Sequence, residues 1–534
     1  MTWEHLFWRG GSQLLVKVIM LVVFFAITIA VGLYYRRHDK SVDGFVLGGR
    51  SIGPWLTAFA YGTSYFSAVV FVGYAGQFGW RFGVSATWIG LGNAFIGSLL
   101  AWVVLARRTR VMTHHLGSAT MADFFGARYA SKGLKIGASI ITFIFLVPYT
   151  ASLYNGLSRL FAMAFDVDFA VCIIAMAILT GIYVIAGGYV ATAVNDFIQG
   201  IIMLVGIVAV VAAVLNTNGG FMGSIAALAR VEDPAVSASP GVFASFFGPD
   251  PINLLGVVLL TSVGTWGLPQ MVHKFYSIRS ERNISTGTIV STFFATIIAG
   301  GCYFLGSFGR LFGDAAVRGA TGAIVFDSIV PAMVSQFPNV LIGIVIVLVF
   351  AASISTLASL VMASASTFTI DFLKGNIIKN MTEKLQVFVI RILIAVFIVI
   401  SSVVALVQYR GSILFIAQLM GVSWGALAGA FLAPFLYGLY WKRVTRAAVW
   451  CNFVFASAFM LLNVVNSVAG LGMFPALLAS PINAVAFTML FGLGFVPLVS
   501  LITPKADEAH VGKCFSCYDT DIAVKAREHV LAYV

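Results

Sequence analysis

Long apolar runs recur along this chain, and they constrain its fold more than any other feature of the sequence. A helix of about 20 apolar residues crosses the roughly 30 Å of hydrocarbon in a bilayer. Runs of this kind are predicted to span the membrane at 13–35, 52–79, 84–106, 136–165, 168–187, 189–215, 253–276, 286–311, 339–372, 386–407, 412–441, 445–468 and 481–502. The alternating pattern of a membrane β-barrel is absent from them. The prediction is an all-α integral membrane protein with about thirteen transmembrane helices.

The composition agrees with a membrane protein and sets its orientation. Of 534 residues, 60% are hydrophobic and 10% are charged, and the formal net charge is +12. Lys and Arg concentrate in loops that would all lie on one side of the predicted spans. By the positive-inside rule that side is cytoplasmic, so we expect an N-terminus outside and a C-terminus inside the cell membrane. The basic charge therefore predicts contact with the lipid bilayer rather than with nucleic acid, and no obligate protein partner is indicated.

Patterns typical of enzymes are missing from the sequence. No carboxylate pair, nucleotide-binding loop or nucleophile–base set is present, so the chain is predicted to be neither an enzyme nor an ATP-driven pump. The five cysteines include one CxxC pair, Cys514 and Cys517, in the predicted cytoplasmic tail. A structural zinc site would need a second pair. The first apolar run is too long for a cleaved signal peptide and is read as a retained span.

Two predicted spans are interrupted in similar ways. The second has Gly62-Thr63 and the seventh has Gly264-Thr265 near its middle, each followed by aromatic, small or proline residues. Transporters built from inverted repeats place unwound helices at matching positions of two halves, where backbone carbonyls and helix ends face the cargo. The alternative is that these glycines only allow close helix packing. The interpretation as a transporter predicts two five-helix repeats, at 52–215 and 253–441. An extra N-terminal helix at 13–35 precedes them, and two C-terminal helices at 445–502 and a tail at 503–534 follow them.

The ninth span carries many hydroxyls in a setting without charge, in the segment "FAASISTLASLVMASAS". Ala352, Ser355 and Thr356 stand at i, i+3 and i+4 and share one helix face, which Ser359 extends by a turn. Hydroxyl and carbonyl oxygens suit a hard monovalent cation such as Na⁺. Membrane Ser and Thr also bond back to their own helix or aid packing, so the pattern alone leaves both interpretations open.

Asp196, in "GGYVATAVNDFIQG", is predicted to lie inside the sixth span. Ionisable groups at membrane depth are costly and usually mark ion or proton paths. The alternative is a carboxylate that caps a helix near a loop.

Four segments together resemble the sodium/solute symporter family. They are "FVLGGRSIGPWLTAFAYGTS" (45–64), "GGYVATAVNDFIQG" (187–200), "GTWGLPQMVHKF" (264–275) and "AASISTLASL" (351–360). The likeness runs in the family's order from about residue 20 to 445, and is nearest to bacterial sodium/proline symporters. It implies a LeuT-type fold with an extra N-terminal helix, and Na⁺-coupled import of a small polar, neutral or zwitterionic solute by alternating access.

The resemblance also implies site residues by position. Na⁺ would be bound by Thr63, Phe66, Ala352, Ser355 and Thr356. A candidate second ion site would use Asp196 and Ser359, although Ala358 stands where members with that site have a further hydroxyl. The solute would contact Ser64, Tyr65, Ser67, Gln77, Tyr149, Thr265, Trp266 and Gln270. Two rivals remain: proton coupling through Asp196 on the same fold, and a solute sensor, which the short tail after residue 502 disfavours.

Overall fold

A computed structural model describes residues 3–35, 41–165, 167–234, 236–237, 239–318, 322, 324–411, 416–479 and 481–531. Regular structure in these ranges is helical. The long helices are Trp3–Tyr35, Lys132–Phe165, Phe169–Asn216, Arg282–Ser307, Asn339–Thr367, Glu383–Gly411, Ile416–Tyr440, Arg446–Ala469, Pro481–Ile502 and Glu508–Leu531. Shorter segments are Val42–Leu47, Pro54–Tyr65, Val69–Tyr74, Ala75–Phe82, Thr87–Gly92, Asn93–Leu100, Trp102–Ala106, Arg107–His115, Met121–Arg128, Phe221–Ala229, Pro251–Val263, Pro269–Tyr276, Ile329–Ser335, Phe368–Leu373 and Ala476–Ala479.

The number of spans differs from the prediction. Ten helices within the described ranges are long and apolar enough to cross a membrane, or eleven if one bent pair counts as a single span. Thirteen spans are therefore not confirmed. The difference arises where predicted spans are short or interrupted: Phe169–Ile185 is a shorter apolar helix, and the predicted span 52–79 is divided by a break at Phe66 and Ser67. Residues 412–415, at the start of another predicted span, lie outside the described ranges.

The predicted spans 168–187 and 189–215 are separated by a turn within the Phe169–Asn216 segment. Gly188 has φ +61° and ψ −165°, a backbone conformation that residues with a Cβ rarely adopt. The chain therefore changes direction at this glycine, and Asp196 lies two turns beyond it.

Both interrupted spans leave the helical conformation four residues after the predicted glycine. In the first broken span (Pro54–Tyr65 and Val69–Phe82), Phe66 is extended with φ −105° and ψ 108°, several residues beyond Gly62. A Cβ at Gly62 would lie 2.3 Å from the Phe294 ring, so this glycine serves close packing rather than unwinding. In the second broken span (Pro251–Gly267 and Pro269–Tyr276), the halves meet at 50°. The α-helix tightens into a 3-10 turn at Gly264, and the backbone becomes extended at Leu268, with φ −87° and ψ 122°.

The hydroxyl helix, Asn339–Thr367, lies in the centre of the bundle. Every residue from Val345 to Thr367 is buried, as expected for a helix that is apolar on all sides. It packs against Phe169–Asn216, Lys132–Phe165, Glu383–Gly411 and the first broken span. Large apolar side chains such as Val205, Phe293 and Val399 are instead exposed on the outside of the bundle, where lipid would contact them.

Main-chain hydrogen bonds join the two broken spans at one end of the bundle. The Ile52 N–H donates to the Ser277 carbonyl at 3.2 Å, and the Arg279 N–H donates to the Ile52 carbonyl at 3.1 Å. Arg110 also donates to the Ile278 carbonyl at 2.9 Å. By the predicted orientation this end is cytoplasmic. We call these two main-chain bonds the Ile52 clasp.

The C-terminal helix, Glu508–Leu531, packs against this same end. The guanidinium of Arg108 lies over the rings of both Tyr440 and Tyr518, at 4.1 and 4.6 Å. Cys514 and Cys517 belong to this helix and are buried. Burial raises the pKa of the Cys517 thiol to about 11, so the metal-binding thiolate is disfavoured at neutral pH. No cluster of three or more residues suited to a metal occurs among the described His, Cys, Asp and Glu residues.

Candidate functional site

The predicted hydroxyl face of the ninth span meets the end of the first broken span. The Thr63 carbonyl oxygen lies 3.2 Å from Ser355 Oγ and 3.0 Å from Thr356 Oγ1. The Ala352 carbonyl lies 3.1 and 3.0 Å from the same two hydroxyls. Four of the five predicted Na⁺ ligands are thus gathered at one contact, and all four residues are buried.

The helix break explains why the Thr63 carbonyl faces another helix. Carbonyls in the last turn of an α-helix have no partner within their own helix, because the N–H groups that would reach them lie beyond its end. Pro54–Tyr65 ends within two residues of Thr63, while the Thr63 hydroxyl bonds back to the Phe59 carbonyl at 2.9 Å. Its carbonyl is therefore left for Ser355 and Thr356. Oxygens without formal charge, brought together in a buried place, suit a monovalent cation.

Phe66, the fifth predicted ligand, lies in the break itself. Its N–H donates to the Gly62 carbonyl at 3.1 Å, and its ring stacks on Tyr65 with centroids 4.3 Å apart. The extended backbone at this residue turns its carbonyl out of the helical direction. Its role as a ligand remains a prediction.

A second polar cluster lies one turn along the hydroxyl helix. Ser359 Oγ is 2.7 Å from Ser64 Oγ, so the residue after Thr63 also contacts the hydroxyl helix. The ammonium of Lys274 donates to Ser359 Oγ at 2.9 Å and lies 3.8 Å from Asp196 Oδ2. Asp196 and Lys274 are 1% and 2% exposed. The candidate second ion site, Asp196 with Ser359, thus contains a cationic side chain.

Lys274 is not among the site residues predicted from the sequence. It belongs to Pro269–Tyr276, the second half of the second broken span, and is buried. The available signal was a lysine inside the predicted span 253–276, where an ionised group needs a partner.

Tyr65 is held by neighbouring helices rather than free to meet a solute. Its hydroxyl donates to the Thr261 carbonyl at 2.6 Å, which ties the two broken spans together. A Cβ at Gly97 would come within 2.2 Å of the same hydroxyl, so the space around it is filled. Two further predicted solute residues have similar local bonds: Ser67 Oγ accepts from the Val69 N–H at 3.3 Å, and the Trp266 indole donates to the Ile96 carbonyl at 3.2 Å.

Tyr149 lies where several of the predicted solute residues approach one another. Its hydroxyl lies close to Ser67 and Trp424. It is buried and makes no hydrogen bond of good geometry with any described residue. The Trp424 ring is 6.1 Å from that of Tyr149 and 6.5 Å from that of Tyr65. Trp424 was not predicted, because an aromatic residue within an apolar span gives no signal of its own.

The remaining predicted solute residues are also buried. Thr265, in the second break, has its hydroxyl 2.9 Å from the Ser262 carbonyl. Gln77 Oε1 and both side-chain amide atoms of Gln270 have no hydrogen-bond partner among the described residues. A buried amide without partners is costly, so Gln270 is well suited to bond a polar ligand.

Comparison with known proteins identifies the family. The model of the "Sodium:solute symporter family" matches residues 45–454. The chain belongs to this family. It is 31% identical over 441 residues to sodium/proline symporters of Staphylococcus aureus, including those of strains JH9 and NCTC 8325, covering 80% of this chain and 82% of those proteins.

A solved structure of a Na⁺-coupled sialic acid symporter, in a substrate-bound outward-open state, shares the fold. The TM-score is 0.69 at 16% identity, over 92% of this chain and 99% of that one. The predicted all-α membrane fold of LeuT type is confirmed by this likeness and by the helical bundle described above. As a member of this family the protein is a Na⁺-coupled symporter embedded in a membrane, a transporter rather than an enzyme. Na⁺ and a solute are its cargo.

Proposed function

We propose that this symporter imports a small polar solute, neutral or zwitterionic, by alternating access, and that Na⁺ binds at Thr63, Ala352, Ser355 and Thr356. The observation that supports this most is the shared contact of both hydroxyls with the Thr63 carbonyl, at 3.2 and 3.0 Å. In this proposal Phe66 supplies a further carbonyl. The N-terminus lies outside and the C-terminus inside the cell.

The proposed ion would couple to the solute through the first broken span. Na⁺ binds two elements at once, the end of Pro54–Tyr65 and the hydroxyl helix, and so favours the conformers in which they touch. Ser64 and Tyr65 follow Thr63 directly and Ser67 comes four residues after it, so ordering Thr63 also orders the segment that leads to Tyr149 and Trp424. The coupling is then a shift of conformer populations, and it acts equally in both directions between ion and solute.

The neutral surroundings of Tyr149 favour an uncharged or zwitterionic cargo. The rings of Tyr65 and Trp424 lie near that of Tyr149, and none of the three side chains carries a formal charge. The relatives named as sodium/proline symporters make L-proline the first solute to test.

Uptake into proteoliposomes tests the proposal. With radiolabelled L-proline, then neutral amino acids and sugars, we expect uptake with an inward Na⁺ gradient and none with choline. An inside-negative potential should raise accumulation, because about 2.3 kcal/mol per charge is gained for each 100 mV. Uptake driven by a pH gradient without Na⁺, and abolished by Asp196→Asn, would instead establish proton coupling.

Gln270→Leu should separate solute binding from Na⁺ binding. The unpartnered amide is lost while the shape is nearly kept, so we expect the KM for solute to rise about tenfold, corresponding to about 1.4 kcal/mol. The Na⁺ midpoint measured without solute should stay within about twofold. Gln386→Leu is the control, since its amide already donates to the Met381 carbonyl at 2.8 Å, outside the broken spans. An unchanged KM in Gln270→Leu would remove this residue from the solute site.

A further inference from the structure

The ammonium of Lys274 occupies a place where a second cation would otherwise be expected. It lies among Asp196, Ser359 and Ser64, on the second broken span rather than on the hydroxyl helix. We propose that Lys274 is a tethered cation that fills a second cation site, so that the chain binds a single exchangeable Na⁺. The inference rests on the proposed function only for that first Na⁺ site.

The groups around Lys274 are those that a hard cation uses. A carboxylate and hydroxyls provide oxygen atoms, and the first Na⁺ cluster nearby is also built from oxygens. An ammonium carries the same single charge as Na⁺ and donates up to three hydrogen bonds. Here it donates to Ser359 Oγ at 2.9 Å and faces Asp196 Oδ2 at 3.8 Å, while the Tyr189 ring centroid is 5.3 Å away.

Charge balance explains why Na⁺ and the ammonium exclude each other. Asp196 and Lys274 are almost completely buried and together carry no net charge. A Na⁺ ion that used the same Asp196 and Ser359 oxygens would lie directly beside the ammonium, so that two like charges would share one buried carboxylate, which is strongly unfavourable. Removing the lysine leaves the opposite excess, a buried carboxylate beside two hydroxyls, and an external cation then restores neutrality.

The tethered cation lies next to the first Na⁺ site. Ser64 follows Thr63 in the chain, and Ser359 is one turn beyond Ser355 on the same helix face. The contact between Ser64 and Ser359 is therefore supported by a charge that cannot leave the protein. Only the neighbouring contact, at Thr63, Ser355 and Thr356, depends on an ion that is released.

Counting bound ²²Na⁺ tests the inference without knowledge of the solute. Equilibrium binding to the purified full chain, in choline-balanced buffer, should give one saturable Na⁺ per chain. Lys274→Gln should give two, and Lys274→Gln with Asp196→Asn should return to one. Two bound Na⁺ ions in the unchanged protein, or only one in Lys274→Gln, would overturn the proposal that Lys274 fills the second cation site.

Two further variants keep the test decisive if Lys274→Gln does not fold. Asp196→Asn retains the lysine and should still bind one Na⁺, with a midpoint within about threefold of the unchanged protein. Loss of binding there would make Asp196 a ligand of the exchangeable ion and overturn the inference. Ser355→Ala with Thr356→Ala removes the first site, so the triple variant with Lys274→Gln should bind one Na⁺. A count of zero in the unchanged protein would refute the proposed first site, and the tethered cation would then be judged by whether Lys274→Gln gains an ion.

Discussion

Ser355→Ala combined with Thr356→Ala is expected to weaken Na⁺ binding by at least about 100-fold. Hydrogen bonds and similar polar contacts to a charged group contribute about 1.5–3 kcal/mol each, and about 1.4 kcal/mol changes a binding constant tenfold. Two of the four gathered oxygens are lost, together with their contacts to the Thr63 carbonyl. The Na⁺ midpoint can be read from a thermal-stability titration with NaCl against choline chloride, because a ligand of the folded state raises its apparent stability.

Ser353→Ala is the matched control for this double variant. Ser353 is a buried serine on the same helix, but its hydroxyl donates to the Val349 carbonyl at 2.6 Å and is not one of the predicted ligands. Its Na⁺ midpoint should stay within about twofold. If the double variant responded to NaCl as the unchanged protein does, the Na⁺ site would have to lie elsewhere.

Gly306→Ala is expected to have the largest effect on stability of the single substitutions considered. A Cβ there would lie 2.0 Å from the Ala75 carbonyl oxygen, and a Cβ on the facing Gly79 would lie 2.0 Å from the Gly306 carbonyl. Two main chains touch at this point, so no side chain can move aside. Overpacking usually costs about 1–3 kcal/mol, and we expect the upper end or failure to fold. Monodisperse yield and apparent melting temperature in detergent measure the loss.

Gly300→Ala provides the comparison within the same helix, Arg282–Ser307. Nothing lies within 4 Å of a Cβ at Gly300, and alanine favours a helix by about 1 kcal/mol over glycine. This variant should be as stable as the unchanged protein or slightly more so. If Gly306→Ala and Gly300→Ala had the same monodisperse yield and melting temperature, the helices would have to separate easily at Gly306.

Features that follow from helical periodicity were predictable from the sequence. Once 339–372 is taken as a helix, Ala352, Ser355 and Thr356 must share a face, and the structure places the Thr63 carbonyl against that face. The turn at Gly188 likewise coincides with a glycine in the sequence, and the α-helix of the second broken span gives way to a 3-10 turn at Gly264. In these cases a local rule determines the local structure.

Features that depend on contacts between distant segments were not predictable. Gly62 was interpreted as a point of unwinding, yet it makes room for Phe294, and the helix continues to Tyr65. In both broken spans the extended residue comes four positions after the glycine, so the glycine indicates the region of the break but not its position. The partnership of Asp196 with Lys274 likewise requires knowing that the sixth and seventh predicted spans come together. The two inverted repeats remain a prediction.

The Ile52 clasp has a consequence for how opening of that end of the bundle can be studied. Its two hydrogen bonds join main-chain atoms, so shortening the side chains of Ile52, Ser277 or Arg279 leaves every donor and acceptor in place. Alanine substitutions at these positions would therefore not reveal how much these two hydrogen bonds contribute. Proline at position 52 or 279 would delete one N–H and with it one bond. The resistance to opening that these two bonds provide therefore depends on the course of the backbone and tolerates any side chain that leaves the main-chain N–H groups in place.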